Sequence, residues 1–136
     1  MKIIKAWPIY LGIILLFTSF EAPRTIFGHW QQIKLTESNL DGSNKVVTIR
    51  KETDSLSKVV KPDGTFEVYM GSKVVLSGTY VIVGDKIDEK VTFALNDDWK
   101  NFRNVMLYRL SGDKMHLKYL LFNNKTVMEE VWKRVD

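Results

Sequence analysis

The residues best able to hold a metal or move a proton are two histidines, His29 and His116, and neither has a local partner at metal-ligand spacing. His29 lies between Gly28 and Trp30, and His116 between Met115 and Leu117. In a strand, alternation turns each imidazole away from the face its neighbours take. No metal site is expected. The acidic groups Asp97-Asp98 and Asp85, Asp88, Glu89 fall among turn residues, where solvated charge is the ordinary outcome. Glycosidic cleavage needs two carboxyls facing one sugar, a spacing these groups do not offer. Asp41-Gly42-Ser43-Asn44 lacks the repeating ligands and closing glutamate of a calcium loop. Ser55, Ser57 and Ser77 stand in no nucleophile-elbow pattern. Cysteine is absent, which excludes thiol catalysis, thiolate metal sites and disulfides together. The expectation is a protein that is not an enzyme and carries no cofactor; a hydrolase is a distant alternative.

The elements around these residues must form a core without staples. With 45% of 136 residues hydrophobic and 12% aromatic, the chain has enough apolar surface for one domain. Its net charge of +4 is interleaved, as in Asp85-Lys86-Ile87-Asp88-Glu89-Lys90, and makes no basic stripe. Nucleic-acid binding is therefore not expected.

Residues 1–22 differ from the rest. Lys2 and Lys5 precede an uncharged run from Ala6 to Phe20, the form of a signal peptide. The run is short for a membrane span, which needs about 20 apolar residues. The expectation is export to the periplasm, cell envelope or exterior, with residues 1–22 as a cleaved signal or a retained anchor. Membrane contact, if any, is through this segment. Residues 23–136 then form the folded domain.

From Phe27 onward, short β-prone runs alternate with turn residues, and no stretch of ten keeps helical periodicity. Strands are expected near 28–36, 45–52, 56–61, 65–70, 73–83, 87–95, 104–110, 115–122 and 126–135. Pro62-Asp63-Gly64, Gly84-Asp85, Ser111-Gly112-Asp113 and Asn123-Asn124 supply hairpin turns between them. Asn96 to Asn101 is a polar loop with room for one helical turn. The fold class is all-β: a single antiparallel, up-and-down barrel of about eight strands. A meander with one apolar face and no covering helix removes its edges by closing on itself. A two-sheet sandwich is the alternative.

Alternation also proposes an interior. Phe66, Val68 and Met70 share one strand face, Val91, Phe93 and Leu95 another, and Met115, Leu117, Tyr119 and Leu121 a third. The candidate lumen is therefore Phe66, Val68, Met70, Phe93, Leu95, Met115, Leu117 and Tyr119, with the Tyr119 hydroxyl as a polar anchor.

Phe27-Gly28-His29-Trp30 opens the first strand, and Glu130-Val131-Trp132-Lys133-Arg134-Val135 closes the last. The pairing resembles the lipocalin superfamily, in which a Gly-x-Trp motif starts strand one and an arginine of the final strand lies across the tryptophan. The resemblance implies that Gly28, Trp30 and Arg134 close one end of a barrel. Asp113 to Tyr119 together with Glu130 to Val135 is also similar to a family of small exported lipocalin-like domains of unknown function. That likeness covers residues 27–136 and implies a barrel and a possible cavity, with no ligand or activity attached. The helical lid of some fatty-acid carriers and the long helix following the barrel of lipocalins have no counterpart here.

Two functions follow from this reading. One is binding of a small hydrophobic or amphipathic ligand inside the barrel. The other is an envelope structural or protein-interaction module with a filled core. A cavity on the order of 300 Å³ or more favours the first.

Overall fold

A computed structural model describes residues 25–51 and 55–135. The expected signal or anchor, residues 1–22, lies outside the described residues. Nine strands follow one another: β1 Gly28–Asn39, β2 Val46–Ile49, β3 Leu56–Val60, β4 Thr65–Met70, β5 Lys73–Val83, β6 Lys86–Ala94, β7 Arg103–Ser111, β8 Lys114–Leu120 and β9 Thr126–Arg134. A 3₁₀ turn, Asp97–Trp99, occupies the polar loop after β6.

All pairings are antiparallel, and β1 pairs with β9 over a long ladder from Trp30↔Arg134 to Asn39↔Thr126. This closes β1-β3-β4-β5-β6-β7-β8-β9 into an eight-strand barrel and excludes the sandwich. The ninth strand, β2, stands outside the ring. It pairs with the second half of β1, Lys34 to Glu37, while β3 takes the first half of the same edge, Gly28 to Gln31.

Turn chemistry fixes the hairpins. At β3–β4, the Asp63 carboxylate accepts from the Thr65 amide at 3.0 Å and its hydroxyl at 2.6 Å, and Gly64 sits at φ +87°. Gly78 has a different task. A Cβ there would lie 1.9 Å from the Lys90 carbonyl oxygen, so the close approach of β5 to β6 requires glycine.

That approach is a bulge. Ser77 pairs with Phe93 and Gly78 with Val91, leaving Thr92 as the extra residue. The bulge corrects one expected row. Val91 points inward and is buried, but beyond Thr92 the alternation slips, so Ala94 turns inward and Phe93 outward, 44% exposed. Phe93 therefore does not line the lumen.

The apolar core gathers toward the end where β1 begins: Ile26, Trp30, Val60, Phe66, Ile87 and Met115 are all buried there.

Candidate functional site

The closed end is built around Trp30, which is fully buried. Its indole N–H donates to the Ile26 carbonyl at 2.8 Å. Arg134 lies across the ring, its guanidinium carbon 4.2 Å from the ring centroid. The same guanidinium donates to the carbonyls of Phe27 and Thr25, both at 2.6 Å. The Arg134 cation thus packs on an aromatic face and satisfies two carbonyls of the incoming chain. Gly28, at φ +135°, takes the left-handed-side conformation that leads the chain from those carbonyls into β1.

Toward the other end the barrel opens into a cavity of about 500 Å³. Its mouth carries apolar side chains, among them Leu35, Leu56, Met70, Leu76 and Leu95. Trp99, from the 3₁₀ turn, also lines it and makes edge-to-face contacts with Phe102 and Phe122, centroids 5.4 and 5.6 Å away. Asn96 fixes that turn by accepting the Asp98 amide at 3.0 Å on its side-chain oxygen.

Deeper, the lining becomes polar. Lys58 and Glu89, each 5% exposed, form an ion pair of 2.5 Å across the lumen wall. The Lys58 ammonium also sits 5.1 Å from the Phe66 ring centroid. Burial pushes the Glu89 carboxyl above its ordinary range, with the Lys58 cation pulling the other way. Glu130 accepts from the Trp132 indole at 2.8 Å on one oxygen and from the Tyr119 hydroxyl on the other. Burial first, then the Glu130 carboxylate, pushes the Tyr119 hydroxyl well above its usual range, so it remains a donor. Arg50 donates to the Gln32 side-chain oxygen at 2.9 Å, completing a mid-lumen belt that also holds Asn104.

The expected lumen residues divide into three groups. Val68, Met70, Leu95 and Tyr119 line the cavity. Phe66, Met115 and Leu117 are buried in the packed wall and floor and do not border it. Phe93 is outside. The charged belt departs from the expectation of solvated turns: Glu89 stands buried on β6 between inward Ile87 and Val91. Alternation carried the signal, since Lys58 shares the face of Leu56 and Val60, and Glu130 that of Met128 and Trp132.

His29 is exposed, and His116 lies on the outer wall opposite Arg109 and Val131. Among the described residues no group of three metal-ligating side chains converges. A second recess, of about 410 Å³, runs over the outside of β1, β9, β8 and β7 among Lys34, Arg109, Lys118 and Glu129.

A closed eight-strand antiparallel barrel, sealed by tryptophan and arginine at one end and hollow toward the other, has the form of a lipocalin-like fold. The chain belongs to the family described as Domain of unknown function (DUF4488), whose model matches residues 25–136. No curated protein matches it.

Proposed function

We propose that this protein binds a small amphipathic molecule in the barrel lumen, without catalysis, after export to the periplasm, envelope or exterior. The cavity of about 500 Å³ carries this reading, because it lies within the size range of small-molecule sites, about 300–1,000 Å³. An apolar mouth above a polar belt suits a molecule with an apolar body and one polar end. The Lys2/Lys5 and Ala6 to Phe20 pattern supports export. A filled-core interaction module has less support, since such a core has no use for a cavity beside buried charges.

The experiment is native mass spectrometry of the protein purified from its source cells, paired with titration of an environment-sensitive apolar fluorophore. Trp99 and Trp132 border the cavity and serve as energy donors. Saturable binding with energy transfer is expected, and Leu56→Trp, which places an indole in the mouth, should abolish it. Absence of both a co-purifying molecule and saturable probe binding would leave the interaction module as the better account.

A further inference from the structure

Within the polar belt the charges are not equally matched. Lys58 is committed to Glu89 at 2.5 Å and to the face of Phe66. Arg50 is turned to the neutral Gln32 amide. Glu130 receives only neutral donors, the Trp132 indole and the Tyr119 hydroxyl, and among the described residues no Lys or Arg lies within ion-pair distance of it. An ionised carboxylate offers about four lone-pair sites, so two stay available after these bonds. A partly buried carboxylate is stabilised by a cation brought to it, since it has already given up part of its hydration.

We infer that the ligand is a basic amphiphile, a primary or secondary ammonium seated against Glu130 with an apolar body filling the mouth between Leu35, Leu56, Met70, Leu76 and Trp99. This rests on the lumen-binding reading and sets its polarity. The apolar body packs beside the head group, since Leu35 pairs with Glu130 across β1 and β9 and the other apolar side chains line the same cavity. Arg50 supplies the competing possibility, an anionic head, which the same measurement decides.

The test is calorimetric titration of the purified chain with octylamine, octanol and octanoate, three heads on one tail, below their aggregation concentrations. The ammonium should bind roughly tenfold or more tighter than the alcohol, the scale of a close buried charge pair, with the carboxylate weakest. In Glu130→Gln the three should bind alike, while Glu129→Gln, on the outer face, should keep the wild-type ranking. The ranking is read in the wild-type chain, so it does not depend on a variant folding. Equal binding, a preference for the carboxylate, or an ammonium preference that survives Glu130→Gln would each overturn the inference while leaving lumen binding intact. No saturable binding of any of the three would remove both.

Discussion

At the closed end, Trp30 sits fully buried with its one polar atom on the Ile26 carbonyl, and the Arg134 cation over it is spent on two more carbonyls. Halfway up the same lumen, Lys58 and Glu89 bring two full charges into a buried position where apolar residues of similar size would fit. Both regions are inward-facing and polar, yet they differ in what their polarity does. The seal satisfies backbone groups that must be buried if the chain is to enter β1, so its hydrogen bonds belong to folding. The belt satisfies mainly itself, a costly arrangement for stability alone, because desolvating an ion pair consumes most of what the pair returns. Charge retained at a cavity wall is what the proposed lumen binding would put to use.

The sharpest way to break this comparison is at the ion pair. Lys58→Met leaves Glu89 buried without a cation and should destabilise the barrel by about 3–5 kcal/mol. The double variant Lys58→Met/Glu89→Leu should recover most of that loss, ending near wild type or above it. Denaturant midpoints of the two singles and the double give the coupling directly. A double variant as unstable as the singles would mean that the belt is structural after all, and the contrast with the seal would vanish.

The seal should behave otherwise. Arg134→Ala removes the packing on Trp30 and leaves the Thr25 and Phe27 carbonyls short of a donor, for a loss of roughly 1–3 kcal/mol. Arg134→Lys keeps the charge but cannot span both carbonyls in a fork, and should recover little. Thermal denaturation checks both. A wild-type midpoint in Arg134→Ala would show that the chain enters β1 without this contact.

The same two regions explain what could be read from residues alone. Strand order and hairpins were legible because Asp63-Gly64, Asn123-Asn124 and their like have one conformational use, and closure followed from apolar faces with nothing else to cover them. Gly28, Trp30 and Arg134 were legible through the resemblance to a Gly-x-Trp opening and a closing arginine, and the β1–β9 ladder sets Trp30 opposite Arg134. Phe93 was misplaced because a bulge is invisible to alternation until the partner strand is known; Gly78, forced against Lys90, is its only local trace. The belt was missed for another reason. Selecting inward rows by apolar content passes over a row such as Ile87-Glu89-Val91, in which the charged residue is the informative one.

The smallest expected effect lies outside the barrel and sharpens the comparison by showing what a polar group does there. His116 is half-buried on the outer wall, and partial burial, then the Arg109 and Lys114 cations, hold its imidazole below the usual histidine range. The unfolded chain takes up a proton on this residue near pH 6.5, whereas the folded chain does so only at lower pH. Between those two values the unfolded state binds more protons, so stability declines as pH falls from about 6.5 through the folded value, and is unaffected by this residue above it. An NMR titration of the His116 ring should give a midpoint below that of an unstructured histidine, rising when Arg109→Ala removes one cation. The decline in denaturant midpoint between pH 7.5 and 5.5 should shrink correspondingly in His116→Gln. A titration midpoint at or above the unstructured value would mean that neither the partial burial nor the two cations governs this imidazole.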